Sequence, residues 1–410
     1  MVPNGWREYK LSDLCVKIAV GLAISVTPYM RKIGTKLIRN QNIKRNFFNT
    51  NSVVYIDKEF ADKNRSKKVY AGDIVAVRTG SNIGEACVVP KEFDGALTFT
   101  TLIARPDRSK LSSEFLGLHI NSERGISEVH RLMAGGGKPN LNSGELKNYK
   151  LLTPPIEEQR KIANILGAWD KAISVTERLI DNSKQQKKAL MQQLLTGKKR
   201  LLDDSGKPFE GEWEQVTIGS TSTCFSGGTP SRSKEEYYGG DIPWITSGKL
   251  NDRFVSSVNE YISELGLKNS SAKVVKNGSL LIAMYGATAG KVAINKLNGA
   301  TVNQAVLALE PNKHCNNYFL FYLYEVEMVK ALKLVQGGQP NLSAAIIKGI
   351  KIKIPSLTEQ RKIAVILTNA DKEVEFLEQQ CAHLKQEKKA LMQQLLTGKR
   401  RVKVDYTEAA

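Results

Sequence analysis

Cysteine is scarce in this 410-residue chain and never clustered. Cys15, Cys87, Cys224, Cys315 and Cys381 are odd in number and form no Cys-x-x-Cys pair. That distribution argues against a zinc site or a disulfide framework and suits a reducing cytoplasm. The four histidines, His119, His130, His314 and His383, show no paired metal spacing, so no metal site is expected, and His119, in a predicted helix, reads as packing. Apolar runs are short: none approaches the ~20 residues of a membrane span, and the opening MVPNGWREYK lacks the apolar stretch of a signal peptide. A nuclease needs clustered Asp, Glu and Lys in a strand setting. No such cluster is evident, and no catalytic residue is expected. Negative charge is also in deficit. Asp and Glu number 41 against 60 Lys and Arg, a formal net charge of +19. That excess points to a polyanionic partner, most simply nucleic acid.

Two apparent motifs fail in detail. Gly286-Ala-Thr-Ala-Gly290-Lys291-Val292 has three residues between its glycines and a valine after the lysine. A phosphate-binding loop needs four residues there and Ser or Thr after the lysine. Thr153-Pro154-Pro155-Ile156 lacks the asparagine and the aromatic of an adenine methyltransferase loop, and no glycine-rich S-adenosylmethionine motif accompanies it. It reads as the start of a helix.

What is present is a long internal repeat. KKALMQQLLTGK occurs at 187–198 and again at 388–399, an offset of 201 that also relates EQRKIA at 158–163 to 359–364 and GGKPNL at 136–141 to GGQPNL at 337–342. Upstream, GDIVAVRTGSNIG (72–84) aligns with GSLLIAMYGATAG (278–290), and the copies begin near Trp6 and Trp213. The order is variable half, near-identical half, variable half, near-identical half. The period is too long for a solenoid and implies a duplicated architecture.

The near-identical segments read as long helices over 157–196 and 358–397. Leu166, Trp169, Ile173, Thr176, Ile180, Ser183, Lys187, Leu190 and Leu194 follow a three-four spacing, as do Leu367, Ala370, Val374, Leu377, Cys381, Leu384, Lys388, Leu391 and Leu395. This is a heptad seam held for about four heptads. Pro154, Pro155 and Pro355 mark the starts, and Ser356 with Glu359 fits a capping box. Gly197 and Gly398 suit left-handed caps, and Lys198–Arg200 and Lys399–Arg401 suit helix C-termini. Such helices, about 60 Å long, cannot bury their stripes alone. The two stripes are expected to pack on each other, the other reading being a coiled-coil dimer stalk. Lys187 and Lys388 interrupt the seams, which suggests contact with another protein there.

The variable halves are mixed α/β by pattern. β-rich runs fall at 73–77, 86–89, 97–103, 279–283, 292–294 and 302–309, and helices at 112–120 and 318–334. Three loop sets recur. The first holds Tyr29, Arg31 and Lys32, answered by Thr229, Ser231, Arg232, Lys234, Tyr237 and Tyr238. The second holds Arg39, Asn40, Gln41 and Asn42, answered by Trp244, Thr246, Ser247 and Lys249. The third holds Arg78, Thr79, Ser81 and Asn82, answered by Tyr285, Thr288 and Lys291. Arg and Lys pair with guanine, Asn and Gln with adenine, and Ser, Thr and Lys hold phosphates. Solvated turns share this composition. Recurrence in a duplicated basic chain favours DNA. Lys138 with Asn140, and Gln339 with Asn341, either touch the DNA backbone or cap a helix.

In combination and order these segments closely resemble type I restriction–modification specificity subunits. GGTPSRSKEEYYGGDIPWITSGKLND (227–252) is similar to the opening of a target recognition domain. TPPIEEQRKIANIL (153–166), IPSLTEQRKIAVIL (354–367) and the closing KALMQQLLTGK resemble that family's conserved helical regions. The resemblance implies an α+β fold. Two pseudo-twofold-related mixed α/β target recognition domains would be joined by two long antiparallel helices forming a coiled-coil spacer. The segments would be 1–155 and 201–354 for the recognition domains, 156–200 and 355–403 for the helical spacers, and 404–410 for a tail. It further implies a non-catalytic subunit that reads a bipartite, asymmetric site in double-stranded DNA. Two adenine methyltransferase subunits and nuclease–translocase subunits would be its partners, and S-adenosylmethionine, ATP and magnesium would belong to them. The opening Gly21-Leu-Ala-Ile-Ser-Val-Thr-Pro28 departs from the family's glycine-rich pattern. Competing readings are the specificity subunit of a type II-like system with a fused methyltransferase–nuclease, a scaffold without a DNA role, and a self-contained methyltransferase. The last is opposed by the missing motifs.

Overall fold

The computed structural model describes residues 2–133, 140–334 and 341–404. The chain divides into two compact units, residues 1–177 with 379–410, and residues 178–378. The division falls within two helices of 39 residues each, α1 (Ile156–Leu194) and α2 (Leu357–Leu395), so each unit owns one α/β head and half of each helix. Both helices lie within two residues of the expected spans.

The heptad seam is real. In α1 the residues Leu166, Ile180 and Leu194 are buried, with Trp169, Ile173, Thr176, Ser183, Lys187 and Leu190 half-buried between exposed neighbours. In α2 Leu367, Cys381, Lys388 and Leu395 are buried, and Ala370, Val374, Leu377, Leu384 and Leu391 half-buried. Within each unit the half-helices run antiparallel and meet inside one chain, as their ion pairs show. In the first unit Lys388 pairs with Asp170 and Lys385 with Glu177. In the second, Lys187 pairs with Asp371 and Lys184 with Glu378. Lys187 and Lys388 are therefore spent on internal carboxylates, which corrects the expectation that they face another protein.

The helix starts explain the repeated Glu-Gln. Glu158 and Glu359 are almost fully buried and accept two bonds each, from Arg401 and Arg200 (2.7–2.9 Å). The basic residues after the helices thus do not sit in the last turn. α1 and α2 end at Leu194 and Leu395, and Arg200 and Arg401 reach the first turn of the opposite helix. Ser356 accepts the Glu359 N–H (3.4 Å), but the Glu359 carboxylate goes to Arg200, leaving only half the expected capping box. A bidentate guanidinium outcompetes one backbone N–H for a buried carboxylate. Gln159 and Gln360 accept from Ser112 and Asn316 N–H (2.9 Å each), where the head helices Ser113–Ile120 and Asn317–Leu334 begin. Gly197 and Gly398 have φ of +68° and +70°, as left-handed caps require.

Each head is a layered α+β body. In the first, an antiparallel sheet runs in the order Cys15–Val20, Thr101–Pro106, Ile74–Val77, Ala86–Val88. A second sheet holds Leu97–Thr98, Thr35–Ile38, Val54–Ile56 and Met30–Arg31. In the second head, Ser222–Ser226, Val306–Pro311, Leu280–Ala283 and Val292–Asn295 repeat the first order, with Phe254–Val255 added. The other sheet holds Glu260–Ile262, Tyr238–Ile245, Ala300–Val302 and Val274–Val275. The unbroken apolar runs at 74–77 and 280–283 reflect burial on both faces. Ile74 and Ala76 pack with the head helix and helix ends, Val75 and Val77 with the outer core. Leu280 and Ile282 divide from Leu281 and Ala283 in the same way. Short ribbons, Arg7–Lys10 with Lys150–Thr153 and Glu214–Thr217 with Lys351–Ile354, close each head beside a helix start. Among the described residues no helix is long and apolar enough to cross a membrane.

Candidate nucleic-acid interface

The three loop sets of each head converge on one chain segment. In the second head it is the link from Val302 to Val306. Gly228 N–H donates to the Val302 carbonyl (3.1 Å), Asn303 N–H to that of Ile245 (3.0 Å), and Met284 N–H to that of Ala305 (2.8 Å). Gly228, Ile245 and Met284 stand at the thresholds of the first, second and third sets. The first head repeats this between Thr98 and Thr101. Leu22 N–H donates to the Thr98 carbonyl (2.7 Å) and Phe99 N–H to that of Ile38 (2.9 Å), and Thr101 is register partner to Val77. Two residues separate the ends of this link and three separate the ends of its counterpart. The shorter link is completed by Thr100 at φ +53°, a left-handed conformation that costs a β-branched residue about 1–2 kcal/mol.

The atypical opening of the first head keeps the same geometry. A Cβ on Gly21 would lie 2.5 Å from the Thr98 carbonyl oxygen, and one on Gly227 would lie 1.7 Å from that of Val302. Both positions demand glycine because backbones cross there. After this shared glycine the two openings diverge, beginning with buried Leu22 where the second head has Gly228.

In the first set, Tyr29 stacks on Phe60 (centroids 3.8 Å). Arg31 bonds the Pro28 and Met30 carbonyls and reaches Asp57 (3.4 Å), and Lys32 is exposed. Arg232 lies over the rings of Tyr238 and Trp244 (4.5 and 5.1 Å) and pairs with Glu260 (2.7 Å). Thr229 donates to Gln304, Ser231 meets Ser233 (2.9 Å), and exposed Lys234 lies 3.9 Å from Glu236. Tyr237 is half-buried, and Tyr238 donates to the Pro230 carbonyl (2.6 Å).

In the second set, Arg39 Nε and Asn40 Oδ1 are buried without a partner, and Gln41 is exposed. Asn42 is fully buried and bonds Arg39 N–H and the Asn49 carbonyl (2.9 Å each). It braces the loop rather than facing outward. Trp244 is likewise buried and donates to the Gly228 carbonyl (3.1 Å). Thr246 and Ser247 are half-buried, and Lys249 pairs with Asp252 (2.7 Å).

In the third set, Thr79, Ser81 and Asn82 are exposed, as are Tyr285 and Lys291, whereas Thr288 is buried. Asn140 bridges to Thr79 and accepts from Arg78 Nε (3.1 Å), and Asn341 bridges to Tyr285. The Pro-Asn motifs therefore brace the third loops. Lys138 and Gln339 lie outside the described residues. The loop 286–290 turns into strand Val292–Asn295, not into a helix N-terminus. It is thus a strand-to-strand turn and lacks the dipole that a phosphate-binding loop uses.

Sequence reasoning missed the link itself. Thr100, Asn303 and Gln304 lie in runs that read as strands, and the available signal was the break in apolar character at Thr100-Thr101 and Asn303-Gln304. His119, by contrast, is a packing residue as expected. It is fully buried, with Nδ1 2.8 Å from the Tyr149 hydroxyl, and burial, with the nearby Arg124, pushes its pKa down to about 3.

Comparison with known proteins agrees with this duplication. The model of the family described as type I restriction modification DNA specificity domain matches residues 3–184 and 210–386. The type I restriction enzyme MjaVIII specificity subunit of Methanocaldococcus jannaschii is 26% identical, over 98% of this chain and 94% of that protein. The EcoR124I/EcoR124II specificity subunit of Escherichia coli is 30% identical, over 40% of this chain and 42% of its own. Among solved structures, the type I restriction-modification S subunit from M. genitalium superposes with a TM-score of 0.60 at 16% identity, covering 96% of this chain and 97% of that one. The HsdS subunit from Thermoanaerobacter tengcongensis gives 0.51 at 18%, covering 97% and 98%. At these identities the structural likeness is one of fold.

Proposed function

This chain belongs to the type I restriction modification DNA specificity domain family, and on that premise we propose that it is the DNA sequence-specificity subunit of a type I restriction–modification complex. Each head reads one half of a bipartite, asymmetric site. The single observation that carries this reading is the convergence, once per head, of three polar loop sets on one crossing segment. A basic chain with +19 formal charge supplies phosphate contacts that fix register, and side chains at the loop tips supply base contacts. Candidates for contact are the outward-facing residues Lys32, Gln41, Thr79, Ser81, Asn82, Ser231, Arg232, Lys234, Tyr285 and Lys291. Asn42, Trp244, Asn140 and Asn341 act by holding those loops.

The chain carries no chemistry of its own in this proposal. Adenine methyltransferase subunits and nuclease–translocase subunits bring S-adenosylmethionine, ATP and magnesium. The continuous helices α1 and α2 set the number of base pairs between the half-sites. The relatives' descriptions, all of type I subunits, do not favour a partner that fuses methylation and cleavage.

Electrophoretic shift on random-sequence duplex DNA at two salt concentrations, with and without the methyltransferase subunit, tests the DNA role. Binding that weakens steeply with salt is expected, by about 10³-fold or more from 50 to 200 mM for six or more phosphate contacts. No shift under any of these conditions would identify a scaffold instead.

A further inference from the structure

Gln304 is the one exposed amide on the crossing link of the second head. Its neighbour Asn303 has its Oδ1 occupied by the Ala305 N–H (3.2 Å). The Gln304 Oε1 accepts from the Thr229 hydroxyl of the first loop set. This bond pins the amide in place, because a hydroxyl can donate to its oxygen or accept from its nitrogen. Thr229 follows Gly228, which the Val302 carbonyl and the buried Trp244 indole both hold. The orienting hydroxyl is thus itself built into the head. What remains free on Gln304 is one oxygen lone pair and both Nε2 hydrogens, side by side in one plane.

We infer that Gln304 is a specificity-determining residue that reads an adenine in the half-site contacted by the second head. This rests on the DNA-specificity reading above. The Nε2 hydrogen donates to adenine N7, and the free lone pair of Oε1 accepts from N6, the bidentate pairing an amide makes in the major groove. Thr229 is a positioning residue that anchors the amide where its donor and its acceptor can both meet one base. The first head has no counterpart. Its shorter link places Thr100 there, with the hydroxyl donating to the Phe99 carbonyl (2.9 Å), and a threonine cannot make the two-point contact. The adenine contact therefore belongs to one half-site only and contributes to the asymmetry of the target.

The test uses the full chain in complex with its methyltransferase subunits and a panel of duplexes carrying every single base-pair change across both half-sites. Gln304→Ala is expected to lose roughly 5- to 150-fold of discrimination at one adenine in one half-site, with other positions unchanged. Gln304→Glu is expected to lose it too, because a carboxylate cannot donate to N7. Thr229→Val is expected to weaken the same position only, by a smaller factor. Unchanged discrimination at every adenine in Gln304→Ala would overturn the inference, as would a loss spread evenly over both half-sites. A wild-type complex with no sequence preference would overturn the specificity reading itself, and this one with it.

Discussion

Asp170 and Asp371 occupy equivalent places in the repeat, each answering a seam lysine, yet their surroundings differ. Asp371 also bonds Arg253 (2.9 Å) and the Tyr322 hydroxyl (2.6 Å), with its side chain 17% exposed. Burial pushes its carboxyl up, but the bonds from Lys187 and Tyr322 and the nearby cations win and hold it below the usual carboxylate range. Asp170 answers Lys388 with its side chain 41% exposed. Removing Asp371 strands two cations and a phenol with little solvent, whereas removing Asp170 strands Lys388 alone, beside a carboxylate position that water already reaches. Asp371→Asn should therefore cost about 3 kcal/mol in chemical denaturation and Asp170→Asn about 1 kcal/mol; equal costs would contradict the assignment. His119 gives a pH signature. It stays neutral in the fold down to about pH 3, while in the unfolded chain it takes up a proton near 6.5. Above that value neither state binds the proton and stability is unaffected. Below it only the unfolded chain does, so stability falls as pH drops. His119→Asn, which keeps a partner for Tyr149, should lose about 2 kcal/mol less than wild type between pH 7 and 5. An identical slope in both proteins would show that His119 titrates in the fold.

At the scale of elements, legibility followed periodicity. The three-four spacing from Leu166 to Leu194 placed α1 within two residues, and the β-rich runs at 73–77 and 279–283 fell on the strands Ile74–Val77 and Leu280–Ala283. Other features were hidden because their causes are distant in sequence. Nothing local in Lys187 names Asp371, and nothing near Arg200 names Glu359. Each pairing needs the antiparallel meeting of segments more than 150 residues apart. The same reason concealed the crossing links. Gln304 matters only once Gly228, Ile245 and Met284 are brought beside it, and composition ranked it below the Arg- and Lys-bearing loops. Buried Asn42, Trp244 and Thr288 show the converse error, since a DNA-like residue type also serves to brace a turn. The helices themselves yield a length test. Inserting one heptad into both α1 and α2 keeps the seam in phase and lengthens each by ~10 Å. The gap between methylated half-sites should widen by about three base pairs, and an unchanged gap would refute the spacer role.

For the whole molecule, duplication is the governing fact, visible in the sequence as an offset of 201 and in the structure as pairs of equivalent bonds. Asn140 and Asn341 brace the third loops of the two heads alike, while the outward residues of the heads differ, as a reader of two dissimilar half-sites requires. The boundaries of the compact units were not legible, because each cuts a continuous helix where no composition changes. One head reading one half-site is tested by replacing residues 201–354 with the corresponding segment of another family member and mapping adenine methylation across the genome. A new sequence in one half-site with the other half-site retained is the predicted result. Changes in both halves, or in neither, would contradict the account.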